Sequence, residues 1–568
     1  MKNYQTLLLA ILGISIEFTS CKHPSIHQYT FTKTVIEDSV MVVTAHPLAT
    51  KIGIEVLRDG GNAIDATIAV QFALAACYPV AGNIGGGGFM VYRNASGKST
   101  TLDFREKAPS AAYPNMYLDE NDNAISELSQ YGELAVGVPG SVDGMIQAYA
   151  KYSKLKDWKR LVQPAVEIAR KGFHLTGQQA GMLNWKKADF DKYNRAKTPF
   201  NNKEKYTKGD LLIQSELALT LEAIRDYGRD GFYSGWVADK IVEQMNRGNG
   251  VISKQDLIDY RAVWREPLKT RYRGHEIISM PPPSSGGVAL TQLLEMIEPY
   301  DIKKLGHHSA SSIHLMAEAE RRVYADRATH LGDSDYYDVP LEMLMDNEYI
   351  KERMIDFEPT QASVSDSIKS GQAKESMETT HFSIVDADGN TVSLTTTING
   401  AYGAKTVVQG AGFLLNNEMD DFSAKPGVPN MFGLIGAEAN KVEPGKRMLS
   451  SMTPTIVLKD GKTLLTVGSP GGSKIITSVF QVIVNVIDYG MSATEAVSAP
   501  RFHHQWKPDK IEFEEIGFDQ KVIDSLKVMG HTVEQKGKIG KIKCIYYNSE
   551  GMIEGAADYR GDDTVLGY

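Results

Sequence analysis

The stretch Glu378-Thr379-Thr380-His381-Phe382-Ser383-Ile384-Val385-Asp386-Ala387-Asp388-Gly389-Asn390-Thr391-Val392-Ser393-Leu394-Thr395-Thr396-Thr397-Ile398-Asn399 alternates polar and apolar residues on both sides of Asp388-Gly389. That pattern predicts a β-hairpin closed by a tight turn. Its first strand opens with Thr379-Thr380, and its second ends in the hydroxyl ladder Thr395-Thr396-Thr397, followed by Asn399. Threonine at a strand edge is ordinary, because β-branched side chains suit a pleated surface. A cut before Thr379 would change its chemistry. The new α-amino group, with a pKa of about 8, would then sit beside the Thr379 hydroxyl and serve as its base. Taken alone, the hairpin reads as plain sheet.

Working outward, the 568 residues carry three to four domains' worth of mass. The 61 basic and 70 acidic side chains leave a net charge of −9 and no basic stripe, which argues against a nucleic-acid partner. Lys2 precedes the apolar run from Leu7 to Ile16, too short to span a bilayer but suited to a signal peptide. Phe18-Thr19-Ser20-Cys21 is similar to a bacterial lipoprotein box. A leader over 1–21 is therefore expected, with Cys21 lipidated and the protein exported, either periplasmic or membrane-anchored; plain secretion is the other reading. Cys77 and Cys544 fall in apolar patterns and are expected as buried free thiols rather than a disulfide framework.

Pro47 to Arg58 has helical spacing and stops at Gly60-Gly61, and Asn62 can cap a second, wholly apolar helix to Cys77. The glycine loop 82–88 leads into strands at Phe89–Tyr92 and Thr100–Phe104, an α+β layering. Residues 150–270 read as amphipathic helices, and Pro281 to Gly287 as a rigid turn into another. The stretch 311–331 reads as a long helix with a charged face, and 356–378 as an exposed, cleavable linker. A second hairpin around Asp460-Gly461 runs into Gly468-Ser469-Pro470-Gly471-Gly472-Ser473 and an apolar helix from Ile475 to about Tyr489.

Gly471-Gly472 at a helix start offers backbone N–H groups at a positive dipole end, fit for a phosphate or an oxyanion. An ordinary turn is the plain alternative. Neither glycine loop forms the Gly-x-Gly-x-x-Gly of a βαβ unit, which excludes a dinucleotide site. Asn416-Asn417-Glu418-Met419-Asp420-Asp421 follows an apolar run, so its carboxylates need partners, and a substrate ammonium would serve Glu418 and Asp421. Arg105 could clamp a carboxylate, though an arginine at a strand end is usually a surface ion pair. His503-His504, adjacent on a strand, point to opposite faces and are expected to be structural, with no metal site.

Together, Gly85-Gly86-Gly87-Gly88-Phe89-Met90, Asp103-Phe104-Arg105-Glu106, Gly137-Val138-Pro139-Gly140, Pro282-Pro283-Ser284-Ser285-Gly286-Gly287, Thr379-Thr380-His381, Asn416 to Phe422, Leu449-Ser450-Ser451-Met452 and Gly468 to Ser473 closely resemble γ-glutamyltranspeptidase, in order from about residue 35 to the C-terminus. The resemblance implies a four-layer αββα N-terminal-nucleophile hydrolase fold. It also implies one precursor that cuts itself at Glu378-Thr379 into a large subunit, 22–378, and a small subunit, 379–568, which stay together as a heterodimer.

By the same resemblance Thr379 is the nucleophile and Thr397 positions it. Arg105, Ser450 and Ser451 hold the α-carboxylate of a γ-glutamyl donor, Asn399, Glu418 and Asp421 its ammonium, and Gly471 and Gly472 the oxyanion. The implied reaction transfers or hydrolyses the γ-glutamyl group of glutathione and related compounds through a γ-glutamyl-threonyl ester, with water, amino acids or peptides as acceptors and no cofactor. A cephalosporin or glutaryl acylase of the same fold, or a silent amino-acid-binding surface lipoprotein, are the alternatives. Two departures stand out: Glu418 replaces the glutamine of many bacterial members, and Phe432 replaces a tyrosine in the lid-like segment 426–440.

Overall fold

The computed structural model describes residues 29–368, 379–425, 430–431 and 437–568. The leader with Cys21, the cleavage-site Glu378 and Phe432 lie outside them. The hairpin forms as expected: strands Thr380–Val385 and Thr391–Thr397 pair antiparallel, Thr380 opposite Thr396 and Val385 opposite Thr391. The Asp386 carboxylate accepts the backbone N–H groups of Asp388 and Asn390 and so closes the turn, with Gly389 at φ +85°.

Both faces of this hairpin are buried, which the alternation alone does not reveal. Phe382, Ile384, Val392 and Leu394 pack with helix Ala63–Cys77 in one apolar core. The alternate residues His381, Ser383, Ser393 and Thr395 face a second sheet. There Ser393 Oγ donates to the Val467 carbonyl (3.1 Å), and the His381 ring meets Thr395 Oγ1 (2.9 Å) and Ser383 Oγ (3.1 Å). At the hairpin the layer between the sheets is thus polar and closed by mutual hydrogen bonds, while apolar clusters such as Met41, Val43 and Val385 with Ile545 and Ile553 flank it. Gly468 is glycine because a Cβ there would lie 2.3 Å from the His381 ring.

Each sheet has seven strands. One runs Thr564–Gly567, Met41–Thr44, Thr380–Val385, Thr391–Thr397, Gly87–Arg93, Ser99–Asp103, Val263–Arg265; the other runs Thr34–Glu37, Ile553–Ala557, Lys543–Tyr547, Lys462–Gly468, Thr455–Lys459, His275–Ser279, Leu268–Tyr272. Helices Pro47–Arg58 and Ala63–Cys77 cover the first, and Gly286–Ile297, Ala310–His330 and Lys474–Ile487 cover the second. The result is the expected αββα sandwich. Asn62 caps the second helix through a reciprocal box with Asp65, and Cys77 and Cys544 are buried free thiols. No helix among the described residues is long and apolar enough to cross a membrane.

Two stretches read from sequence gain detail that their patterns do not carry. The charged face of helix Ala310–His330 is buried: Glu318, Arg321, Arg322 and Arg327 are at most 3% exposed. Its charges are matched internally, Glu318 taking Arg321 Nε (3.2 Å) and Arg322 Nη1 (2.6 Å), as buried charges require. The expected exposed linker is mostly exposed over its described part, 356–368, and is anchored at Ser365 and Ile368. Ser365 is fully buried, its N–H donates to Asp509 (2.7 Å), and Trp506 Nε1 donates to the carbonyls of Ser365 and Ile368 (2.9 Å each). Two buried residues and their backbone hydrogen bonds supply this attachment. Residues 369–378 lie outside the described part.

Candidate active site

Continuing the hairpin register by one pair sets Thr397 directly across from Thr379. Opposite residues on antiparallel strands share a face, with Cβ atoms about 5 Å apart. The Thr397 hydroxyl accepts the Asn399 N–H (2.8 Å), and Asn399, at φ +68°, donates its amide to the Asn417 carbonyl (3.0 Å). The ladder therefore divides. Thr395 belongs to the layer between the sheets, Thr396 accepts from Gln71 and Asn83 on the helical side (3.2 and 3.1 Å), and Thr397 opens into a cleft.

That cleft is open to solvent and spans about 310 Å³ with the space at its mouth included. Thr379, Thr397, Asn399, Arg105, Glu418, Asp421, Ser450, Ser451 and Gly472 all line it; Gly471 adjoins Gly472 but is not among the lining residues. Reasoning from sequence missed three further lining residues, Arg327, Met452 and Ile475. Arg327 was the most accessible of these, since it sits on the charged helix already singled out.

Side-chain amides and turns bring these distant segments together. Asn416 accepts the Gly137 N–H (2.9 Å) and donates to the carbonyls of Gly85 (2.9 Å) and Gly137 (2.8 Å). It thereby stitches two glycine motifs to the segment that carries Glu418 and Asp421. The Pro281–Gly287 turn cradles the serine pair: Ser285 donates its hydroxyl to the Ser450 carbonyl and Ser284 to that of Met452 (2.7 Å each). Arg327 donates to Ser451 Oγ (3.0 Å) and Ser285 Oγ (2.9 Å).

Arg105 is not a surface ion pair. It is 1% exposed, its carbonyl accepts the Tyr260 hydroxyl (2.7 Å), and its guanidinium donates to both Glu418 and Asp421. Glu106 also approaches at 3.5 Å. The two halves of the expected amino-acid clamp, cationic and anionic, are therefore closed on each other. Three carboxylates share this guanidinium, and among the described residues Glu106 Oε1 and Glu418 Oε2 have no hydrogen-bond partner.

Burial, reinforced by the Glu106 charge, pushes the Glu418 carboxyl well above its ordinary range. Burial also lifts Glu106 to about 8, against the pull of Arg105, and raises Asp421. Neighbouring Asp420, buried between the Ser129 hydroxyl and the Met431 N–H, rises to about 7. The cleft thus holds an excess of acid, with protons retained on it.

Gly471 and Gly472 take φ +136° and +56°, and their carbonyls accept from Lys474 (3.1 Å) and Ile475 (3.2 Å), so the loop winds straight into helix Lys474–Ile487. His503 and His504 point to opposite sides, as expected. His503 meets Thr477 Oγ1 (2.9 Å), and His504 meets Asp509 (3.4 Å). Among the described residues one cluster has metal-ligand spacing, His314, Glu318 and His531. Its histidines bond each other (Nδ1 to Nε2, 2.7 Å), and Glu318 already neutralises two guanidiniums, a setting hostile to a cation.

A family model described as Gamma-glutamyltranspeptidase matches residues 49–568. The "Glutathione hydrolase proenzyme" of Pseudomonas sp. (strain A14) is 48% identical over 531 residues, covering 92% of this chain and 91% of its own. The crystal structure of Helicobacter pylori gamma-glutamyltranspeptidase is 43% identical with a TM-score of 0.57, covering 61% of this chain and 97% of its own. A cephalosporin acylase from Bacillus halodurans shares the fold, with a TM-score of 0.84 at 24% identity over 97% of this chain and 99% of its own. With its αββα sandwich, its Thr379 cleft and these relatives, the chain belongs to the γ-glutamyltranspeptidase family.

Proposed function

We propose that this enzyme transfers and hydrolyses γ-glutamyl groups, with glutathione as the type donor, using Thr379 as nucleophile. One observation carries the reading: beside Thr379 lies a buried clamp with opposite charges, Arg105 against Glu418 and Asp421. An amino-acid head group exchanges partners with it. The donor carboxylate takes Arg105 and the Ser450-Ser451 hydroxyls, while its ammonium takes the carboxylates Arg105 releases, aided by Asn399. Each charge of the head group then has a partner. A glutaryl group lacks the ammonium, so this set disfavours the β-lactam acylase alternative.

The Thr379 oxygen attacks the γ-carbonyl carbon while the α-amino group takes the hydroxyl proton. Thr397, across the strand pair, orients the hydroxyl. The tetrahedral oxyanion lies against the Gly471 and Gly472 N–H groups. The C–N bond breaks, the proton goes to the leaving amine, and a γ-glutamyl ester remains. Water or the amine of an amino acid or peptide then attacks the ester, again with the α-amino group relaying the proton.

In the precursor the same hydroxyl acts on the Glu378–Thr379 bond, giving a large subunit 22–378 and a small subunit 379–568. Relatives named as proenzymes support this reading. Removal of a leader over 1–21, export, and lipidation of Cys21 complete it. Thr379→Ala should stay uncut at about the full 62.5 kDa on a denaturing gel and release nothing from a γ-glutamyl anilide. A cut or active Thr379→Ala protein rejects the nucleophile, and faster release from a glutaryl β-lactam would favour the acylase.

A further inference from the structure

Behind the Gly471-Gly472 turn, on the side away from the cleft, lies a buried hydrogen-bond chain that the reaction above does not use. Ser473, the next residue, donates its hydroxyl to Gln505 Oε1 (2.6 Å). Gln505 Oε1 also meets His503 Nε2 (2.8 Å), and His503 Nδ1 meets Thr477 Oγ1 (2.9 Å). An amide oxygen only accepts, so Nε2 carries the imidazole proton and Nδ1 accepts from the Thr477 hydroxyl. Gln505 is held in turn by donating its amide to the Lys507 carbonyl (3.2 Å).

Thr477 sits one turn into the helix that Gly471-Gly472 begins, so the ring ties the turn to its own first helical turn through an independent segment. From the other side the Tyr324 hydroxyl donates to the Ser473 carbonyl, and its ring packs edge-on against His503, with centroids 5.7 Å apart. Glycine at φ +136° and +56° has no side chain to fix it, and a floppy pair of N–H groups makes a poor anion cradle, because preorganisation is what stabilises a developing oxyanion.

We propose that His503, with Gln505, Thr477 and Tyr324, is a positioning residue that fixes the Gly471-Gly472 N–H groups for the tetrahedral oxyanion. This rests on the Thr379 and Gly471-Gly472 roles proposed above. The ring works as a neutral strut. Burial, with Lys474 nearby, holds it down at about 3, so it stays uncharged across the working pH range. It touches neither donor nor nucleophile, so its loss weakens the transition state and spares ground-state binding.

The test uses the cleaved enzyme and a γ-glutamyl anilide. His503→Ala should lower kcat by about 10- to 100-fold, less than the loss of a whole oxyanion donor, and leave KM within about twofold. His503→Gln offers a donor and an acceptor on one side chain; it should recover most of the rate, with a pH profile that overlays the wild type. If His503→Ala accumulates uncut, Thr477→Val decides, because it removes the hydroxyl that meets Nδ1 (2.9 Å) and the Lys474 carbonyl (3.2 Å) while leaving the ring in place; it should lower kcat by about 3- to 10-fold at constant KM. Unchanged kcat in cleaved His503→Ala or in Thr477→Val overturns the strut, as does a KM rise that matches the kcat fall. Thr379→Ala run alongside separates the two readings: if it is inert while His503→Ala is fully active, only the strut fails.

Discussion

Replacing Glu418 with glutamine removes one of the three carboxylates that crowd Arg105 and leaves the shape nearly unchanged. Glu418 is 1% exposed, and its Oε2 has no partner among the described residues. Such a buried, unsatisfied acceptor costs about 1–3 kcal/mol. The sign against pH follows from the raised carboxyl. Below its ordinary value of 4.5 the side chain is neutral in both the folded and unfolded states, and the substitution gains nothing. As pH climbs towards the folded value, only the unfolded chain ionises freely, so the native enzyme is progressively penalised.

Glutamine removes that penalty and keeps an acceptor for Arg105, at the expense of some charge assistance. A net gain of about 1–2 kcal/mol should raise the Tm of donor-free, cleaved enzyme by about 1–3 °C at about pH 8, and hardly at all at about pH 4. Donor binding should move the opposite way. The ammonium wants ionised partners, so the wild-type KM should fall as pH rises from 5 to 8, by up to about tenfold per unit for each proton released. Glu418→Gln should show a higher KM at about pH 8 with a shallower slope, its charged contact having become a neutral one. Scanning calorimetry and γ-glutamyl anilide kinetics across pH read both quantities. An equal Tm change at both pH values, or identical KM slopes, refutes the crowded-acid argument.

Arg327→Met should lose the bonds to Ser285 and Ser451, each charge-assisted and worth about 1.5–3 kcal/mol; kcat/KM on the anilide should drop by at least about tenfold, while circular dichroism stays native. A normal kcat/KM would show that the serine pair needs no brace. Gly471→Ala meets no atom closer than 3.7 Å but must hold φ +136°, so its cost is backbone strain of about 1–3 kcal/mol. It should depress kcat far more than KM, and a wild-type kcat would remove Gly471 from the oxyanion site.

The architecture was legible in sequence where local chemistry and fold agree. The Asn62-capped helix, both hairpins and the glycine turn into a helix each carry their own signal, and each formed where expected. Burial was harder to read. Alternation in 380–397 marks strand but does not say that the polar face is covered by a second sheet, because that depends on the Val467 and Lys543 carbonyls, far along the chain. For the same reason the sequence does not show that Glu318, Arg321 and Arg322 are buried. Their mutual pairing is a three-dimensional fact, and isolated charges in a sequence default to water. The site residues were recognisable through linked motifs. Arg327 escaped because its helical context made it one charge among many, and the closure of Arg105 on Glu418 and Asp421 emerges only when strand end and loop meet.

Tyr324 and Arg327 stand three residues apart on one helix, the first holding the Ser473 carbonyl and the second holding Ser451. Three residues of helix advance about 4.5 Å, so on the roles proposed above that rigid interval would act as a ruler between the grip on a donor's head group and the place where its carbonyl reacts. A homologue shorter by a single methylene would reach one mark and miss the other, and a misplacement of about 1 Å can cost a hundredfold in rate. On the assigned roles, selection for a γ- over a β-linked amide is then a property of helical pitch.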